Sequence, residues 1–293
     1  MHDWPARDAC DDGGIAGLLR DRAPQGELIL IATTGTSPHQ LAWVANAISN
    51  LDALGLHHWL LLSETAQACQ TLQAALAAGA GLTAACAFCG ESSLQRLDLH
   101  PGPQEHPMRG QPSWQRTSFY DLLFLRWLVA ERFVSRHVNV LSLDLDVHIV
   151  ASPYPALHSP SFHNHSLLVE WDFNTYLNSG CMYFKNAQVG RGAHRILTGL
   201  ISHLQASACG ARRGVPRSRD TRCDASRRDQ APRRNVDQEV MQDLLCAAGG
   251  PRPQVLLGSD SRFTLSPILQ LRLLRGWSWY RGSPPRTAAC HRL

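Results

Sequence analysis

The 293-residue sequence contains almost no lysine, since Lys185 is the single one beside 27 arginines. It has no run of 18 apolar residues, so we expect no segment that spans a bilayer. Its opening, MHDWPARDACDDGG, holds acidic residues and no apolar core, so we expect no secretory signal peptide there. Apolar residues make up 44% and charged residues 18%, which is typical of a globular chain that buries a core.

Positive charge is concentrated in one stretch and does not mark a whole face. Residues 206–234 hold 9 Arg and 3 Asp, a net charge of +6, whereas the chain carries +4, so the remainder carries −2. A nucleic-acid-binding protein needs a basic face on a folded element, and we therefore predict no nucleic-acid partner. The stretch lacks apolar periodicity, so we predict a disordered insertion over 207–234, with a phosphate- or RNA-binding arm as the alternative.

The cysteines are odd in number and irregular in spacing, which does not indicate a disulfide framework. They stand at positions 10, 69, 86, 89, 181, 209, 223, 246 and 290. Cys86 and Cys89 form one CxxC, but the second ligand pair that a structural zinc site needs does not follow. We expect these two residues to pack in the interior, with metal binding or redox use as the alternative.

One stretch combines an apolar run with two carboxylates. Residues Val138–Leu143 predict a buried strand, which ends in Asp144 and Asp146 and is followed by the breakers Pro153 and Pro155. Positions two apart on an extended chain face one side, so both carboxylates are predicted to face a crevice at the strand's carboxyl end. Paired carboxylates suit Mg²⁺ or Mn²⁺ held together with substrate phosphates. A solvated turn after a strand is the alternative interpretation.

The order of predicted elements indicates an α/β fold with parallel strands and crossover helices. Residues 1–26 are expected to form a mobile lead, and the ordered part is expected to begin at residue 27. The next elements are predicted as strand Leu28–Ala32, helix 38–54, strand Trp59–Leu62, helix Glu64–Ala78 and strand Leu82–Phe88. Further on we predict a loop over Gly90–Pro112, helix Trp114–Val134, strand Ser166–Glu170, a short strand ending near Phe184, helix Val189–Ala206, a helix from Asp237 to Cys246 and strand Val255–Leu257.

Several segments in this order resemble the nucleotide-diphospho-sugar transferases of the plant and algal type, glycosyltransferase family 77. They are the opening strand and helix, LGLHHWLLLSE, NVLSLDLDVHIVASPYP, LNSGCMYFKNA and NVDQEVMQDLL, and they cover roughly residues 27–257. The resemblance implies a single GT-A (Rossmann-like) domain over 27–293. In that fold a mixed, mostly parallel sheet is flanked by helices, and a divalent cation, Mn²⁺ or Mg²⁺, serves as cofactor.

The resemblance also implies roles for residues near the strand ends. Asp144 and Asp146 correspond to the Asp-x-Asp motif that holds the metal together with the donor's diphosphate and ribose. Thr33 and Thr34, which follow the first long strand, correspond to contacts with the nucleotide base.

Two further pairs are assigned in the same way. Asn178 and Gly180 fit an Asn-Ser-Gly turn beside the donor sugar. Asp237 and Gln238 resemble the Asp-Gln pair that reaches the transferring sugar in related retaining enzymes. Lys185 could neutralise phosphate, although a surface position is the simpler expectation for it.

The function implied is transfer of a sugar from a nucleotide-diphosphate donor, by default a UDP-sugar, to a glycan or glycoprotein acceptor with retention. Family members are usually anchored in the Golgi membrane, which implies a Golgi or secretory lumen, yet no anchor is visible in this sequence. A catalytically degenerate sugar-nucleotide-binding protein of the same fold is one alternative. A haloacid-dehalogenase-type phosphohydrolase is another, because residues 143–147 mimic its nucleophile strand and Lys185 is the one candidate for its lysine.

Overall fold

The computed structural model describes residues 4–33, 37–97, 117–171, 177–185, 187–211, 241 and 272–273. In this part of the chain, seven strands form one mixed, mostly parallel sheet with helices packed against it. The predicted α/β fold class is therefore confirmed.

The strands are short, and the helices contain more residues than the strands. The strands are β1 (Arg7–Asp8), β2 (Glu27–Ala32), β3 (Trp59–Leu62), β4 (Cys86–Phe88), β5 (Asn139–Leu143), β6 (Val147–His148), β7 (Leu167–Trp171), β8 (Leu177–Phe184) and β9 (Arg272–Leu273). The helices are α1 (Asp12–Arg22), α2 (Pro38–Ala53), α3 (Ala66–Ala80), α4 (Glu91–Arg96), α5 (Thr117–Val134), α6 (Tyr154–Leu157) and α7 (Gly192–Ala211), with a 3₁₀ turn at Pro160–Phe162.

The strand order in the sheet is β1-β4-β3-β2-β5-β8-β7. The first five of these are parallel, β8 is antiparallel to β5, and β7 is antiparallel to β8. The carboxyl ends of β2, β3 and β5 therefore meet the start of β8 at one edge, which we call the carboxyl edge. We call the opposite edge, where β2 and β5 begin and β8 ends, the amino edge.

Local sequence signals explain where helix α2 begins and ends. The Ser37 hydroxyl accepts a hydrogen bond from the Gln40 backbone N–H, and Pro38 occupies the first turn, where its missing N–H costs nothing. Val44, Ile48 and Leu51 recur at a helical spacing and are buried. The chain leaves the helix at Gly55, whose φ of 70° is a conformation that glycine adopts without strain. The predicted start of this helix is confirmed.

The core lies on both faces of the sheet, because side chains alternate along each strand. Leu28, Leu30 and Val140 belong to a cluster that includes the buried faces of α1, α5 and α7. Ile29 and Ile31 belong to a second cluster that includes the buried faces of α2 and α3. The continuous apolar run of β2 thus reflects a strand covered on both sides.

The expectation of a mobile lead over residues 1–26 is wrong for residues 4–26. Strand β1 is the outermost strand of the sheet and pairs with β4. The Arg22 guanidinium donates to the carbonyl oxygens of His57 (2.7 Å) and Trp59 (2.7 and 2.9 Å) and lies between the Trp4 and Trp59 rings. This segment is therefore an integral part of the fold.

Two disulfides are present, although the number and spacing of the cysteines did not indicate a disulfide framework. Cys10 is bonded to Cys89 and Cys69 to Cys86, and all four residues are buried. The CxxC residues Cys86 and Cys89 thus pair with distant partners, 17 and 79 residues away. Spacing along the chain does not reveal these pairs. Cys10 and Cys89 meet because β1 lies beside β4, and Cys69 and Cys86 meet because α3 packs against β4.

Other boundaries differ from the predictions in smaller ways. Helix α4 lies within the predicted loop Gly90–Pro112, and β4 is shorter than the predicted strand Leu82–Phe88. Helix α7 extends to Ala211, so the first five residues of the predicted insertion over 207–234 are helical. The rest of that insertion and strand Val255–Leu257 lie outside the described residues, as does the predicted helix from Asp237, apart from helical Met241. In the described residues, no helix has the length and apolar character needed to cross a membrane.

We predict that replacing Cys10 and Cys89 together by alanine lowers the free energy of unfolding by about 2–5 kcal/mol, since the cross-link closes a long loop. The measurement is chemical denaturation of the oxidised protein. Cys181→Ala is the matched control, because Cys181 forms no disulfide. An unchanged denaturation midpoint in the double variant would contradict the prediction.

Candidate functional site

Two of the predicted site residues lie side by side at the carboxyl edge. Strand β5 ends at Leu143, and the backbone N–H of Asp144 donates to the carbonyl oxygen of Gly180 at 2.8 Å. This bond continues the pairing of Leu143 with Cys181 by one step. The end of β5 and the start of β8 are thus joined where the resemblance expects a donor site.

The chain turns at the aspartates instead of continuing extended. The backbone N–H of Val147 donates to the carbonyl oxygen of Asp144 at 3.1 Å, which closes a turn over residues 144–147. The premise that an extended backbone carries Asp144 and Asp146 on the same side is therefore wrong. Both residues are nevertheless only partly buried, with the Asp144 side chain 44% exposed, so the turn is accessible to a ligand.

Arg126 is the residue of this site that sequence reasoning missed. It projects from α5, is 2% exposed, and donates to the Ser142 hydroxyl (2.7 Å) and the Asp144 Oδ1 (2.6 Å). It also donates to the carbonyl oxygen of Ser179. A planar guanidinium has the fixed set of donors that such a threefold contact needs. The available signal was a single charge inside the apolar run LLFLRWLV.

Thr33 lies beside this turn with an unsatisfied hydroxyl. Ile31 pairs with Leu143, so Thr33 follows β2 at the same edge at which Asp144 follows β5. The residue is 2% exposed, its N–H donates to the Leu62 carbonyl oxygen (2.9 Å), and its Oγ1 has no hydrogen-bond partner among the described residues. A buried hydroxyl without a partner costs free energy, and a bound ligand would remove that cost.

The other predicted residues are only partly located. Asn178 lies in β8, where its pairing with Glu170 of β7 places it near the carboxyl edge. Thr34, Asp237 and Gln238 lie outside the described residues, so their roles remain predictions.

Lys185 does not have the surface position expected for it. It is 7% exposed, and its Nζ donates to the carbonyl oxygens of Leu157 (2.9 Å) and Phe162 (3.2 Å). Since it follows the last residue of β8, it lies at the amino edge, across the sheet from the aspartates. There it holds the end of α6 and the adjoining 3₁₀ turn, and the alternative role in neutralising phosphate beside Asp144 does not fit this position.

The amino edge is closed by a polar network around Glu27. Its carboxylate accepts hydrogen bonds from the Tyr183 hydroxyl (3.0 Å) and the Asn139 side-chain amide (2.8 Å), and His158 Nε2 lies 3.1 Å away. Burial and the Glu27 charge raise the pKa of Tyr183, so its hydroxyl stays protonated and donates. The network satisfies its own polar groups, which is typical of a structural role.

No protein-family model matches the chain, and no curated protein matches it. Among solved structures, the chain is similar to an active-site mutant of LgtC, with 15% identity over 54% of this chain and 56% of that one and a TM-score of 0.35. It is also similar to the galactosyltransferase LgtC in complex with donor and acceptor sugar analogs, with 13% identity over 65% and 66% and a TM-score of 0.37. Apo mouse xyloside xylosyltransferase 1 gives 17% identity over 61% and 71% and a TM-score of 0.36.

The solved structures named above are glycosyltransferases. The match spans 56% and 66% of the two LgtC chains, so it covers less than two thirds of either. At these TM-scores the likeness carries no conclusion about activity, which must be argued from the residues of the site.

We predict that Asp144→Ala lowers the free energy of unfolding by about 1–3 kcal/mol, because the buried Arg126 guanidinium loses its counter-charge. The control is Asp12→Ala, which removes a carboxylate that is 85% exposed and pairs with Arg132 and Arg136. A smaller loss is expected there, since exposed ion pairs contribute little. Denaturation midpoints of the two variants test this, and equal losses would contradict it.

Proposed function

We propose that this chain is a metal-dependent glycosyltransferase of the GT-A type, related to glycosyltransferase family 77. It transfers a sugar from a nucleoside-diphosphate donor, most simply a UDP-sugar, to a glycan or glycoprotein acceptor, with retention at the anomeric carbon. The observation that carries the proposal is the accessible turn at the carboxyl edge, where two aspartates follow a central strand and one of them is fixed by Arg126. Open α/β sheets bind their ligands at this edge.

The side chains at this turn fit a divalent cation. Asp144 and Asp146 are hard oxygen donors, and both are partly exposed. Mn²⁺ or Mg²⁺ takes one or two such carboxylates and fills its other positions with water and phosphate oxygens. When bound, the cation would supply Lewis-acid stabilisation of the charge on the departing diphosphate.

Other residues of the chain would orient the donor. The Thr33 hydroxyl, buried without a partner, is available to hydrogen-bond the nucleotide, as the resemblance implies. Gly180 lies against Asp144 at the start of β8, which suits a position beside the donor sugar. By resemblance, Asn178 would act with Gly180, Thr34 with Thr33, and Asp237 with Gln238 at the transferring sugar.

The phosphohydrolase alternative has less support than the transferase. A nucleophilic Asp144 would have to attack with a carboxylate whose Oδ1 is held by the buried Arg126 at 2.6 Å. The single lysine of the sequence is committed to two carbonyl oxygens at the amino edge, so it is not placed to assist at Asp144. The degenerate binding protein remains as an outcome of the donor-binding measurements below.

A Golgi or secretory lumen is the proposed location. Two buried disulfides support it, because such cross-links form and persist in oxidising compartments. The acceptor proposed from the family resemblance, a glycan or glycoprotein, occurs in the same compartments.

We predict that Asp146→Asn reduces Mn²⁺-dependent sugar transfer by at least about 100-fold, since removing a group that stabilises developing charge costs rates of this order. Thermal shifts with UDP- and GDP-sugars, with and without Mn²⁺, first identify the donor, and transfer or donor hydrolysis is then measured. Asp12→Asn, at an exposed position on α1, is the control. Full activity in Asp146→Asn would overturn the proposal, and donor binding without turnover in the unmodified protein would favour the degenerate alternative.

The variant Thr33→Val should show whether the Thr33 hydroxyl contacts a ligand or forms a hydrogen bond within the protein. The substitution keeps the shape and removes a buried, unpaired hydroxyl, so stability is expected to stay equal or rise. Donor affinity, measured by calorimetry with Mn²⁺ present, should fall by about 2–10-fold through the loss of one hydrogen bond. Thr83→Val, at an exposed position before β4, should change neither quantity. Lower stability with unchanged donor affinity would show that the hydroxyl is bonded within the protein.

A further inference from the structure

A permanent positive charge lies directly behind the candidate cation site. The Arg126 guanidinium contacts Asp144 Oδ1 at 2.6 Å, while its other hydrogen bonds go to the Ser142 hydroxyl and the Ser179 carbonyl oxygen. The side chain is 2% exposed, so it cannot turn away into solvent. Because arginine does not lose its proton in proteins, this charge is present at every pH at which the protein is folded.

The ion pair changes what Asp144 can offer to a cation. Oδ1 is engaged by Arg126, and Oδ2 is the oxygen without a hydrogen bond from the described residues. The guanidinium also cancels one of the two carboxylate charges at the turn. A divalent cation at Asp144 would therefore meet about one unit less negative charge than it would if Asp144 lacked this ion pair.

A nucleoside diphosphate would restore the missing negative charge. Its phosphate oxygens are strong ligands for Mn²⁺ or Mg²⁺ and bring charge of the sign that Arg126 cancels. The cation and the diphosphate should therefore each bind better in the presence of the other. By thermodynamic linkage, both must gain affinity by the same factor.

We propose that Arg126 is a positioning residue that makes cation binding dependent on the donor: it holds Asp144 in place and weakens binding of the cation alone. The inference deepens the proposed function and rests on it. If Arg126 were purely structural, it would still connect α5 to β5 and β8. Removal of its charge would then leave the protein's affinity for the cation alone unchanged.

The test is a Mn²⁺ titration followed by the electron paramagnetic resonance signal of the free ion, with and without UDP. The proposal predicts that the unmodified protein binds Mn²⁺ alone weakly and at least about tenfold more tightly with UDP. In Arg126→Gln the neutral amide nitrogen takes the position of Arg126 Nε, which donates to the Ser142 hydroxyl. The affinity of this variant for Mn²⁺ alone should rise by about tenfold, which is the effect of removing one charge from a partly exposed site. The increase in Mn²⁺ affinity that UDP causes should become smaller by the same factor.

Two variants control for effects other than the local charge. Arg126→Lys keeps the positive charge and should keep weak binding of Mn²⁺ alone. Arg136→Gln removes a positive charge that pairs with Asp12 at the surface, and it should behave like the unmodified protein. Calorimetry of UDP binding to the unmodified protein, with and without Mn²⁺, requires no variant. Mn²⁺ must raise the UDP affinity by the same factor by which UDP raises the Mn²⁺ affinity.

The outcomes distinguish this inference from the proposed function. If Arg126→Gln binds Mn²⁺ alone no more tightly than the unmodified protein, or if Mn²⁺ leaves UDP affinity unchanged, the inference is overturned while a metal-dependent transferase stands. If the unmodified protein binds neither Mn²⁺ nor UDP, both are overturned. If Arg126→Gln does not fold, the UDP calorimetry and Arg126→Lys decide: absent coupling, or tight binding of Mn²⁺ alone in Arg126→Lys, would overturn the inference.

Discussion

The contact on which the candidate site depends is the ion pair between the buried Arg126 guanidinium and the partly exposed Asp144 carboxylate. One guanidinium joins helix α5, the end of strand β5 through Ser142 and Asp144, and the start of β8 through Ser179. These segments are separated in the sequence. Without the Arg126 guanidinium, their buried polar groups would lose hydration without gaining a hydrogen bond in its place. The position of Asp144 is therefore set by the packing of a helix and not by the strand alone.

Sequence patterns predicted the elements whose signals are local. The run Trp59–Leu62 is strand β3 with the predicted boundaries, and Ser37-Pro38 marks the start of α2. Strand β1 and the Cys10–Cys89 disulfide depend on which strands become neighbours in the sheet. A two-residue strand has no periodicity, and Cys10 and Cys89 meet because β1 lies beside β4. Non-local pairing of this kind cannot be deduced from spacing in one sequence.

In the candidate site, too, local signals predicted some features, whereas features that depend on distant contacts were not predicted. The resemblance placed Asp144 and Gly180 in one region, and the structure joins them by a backbone hydrogen bond. The turn over residues 144–147 was only the alternative interpretation, although Asp is common at the first position of a turn. Arg126 was missed because a charged residue in an apolar helix does not reveal its partner. Lys185 was misjudged because lysine is usually exposed, whereas here two carbonyl oxygens compensate for its burial.

The two edges of the sheet differ in how their polar groups are satisfied, and this difference supports the location of the site. At the amino edge, Glu27 receives donors from Tyr183 and Asn139, and the raised pKa of Tyr183 keeps that donor in its neutral form. At the carboxyl edge, Thr33 has a buried hydroxyl with no partner among the described residues, and the Asp144 carboxylate, paired with Arg126 through Oδ1, is 44% exposed. A folded chain tolerates such incomplete satisfaction where a ligand completes it. A bound ligand is therefore to be sought at the carboxyl edge and not at the amino edge.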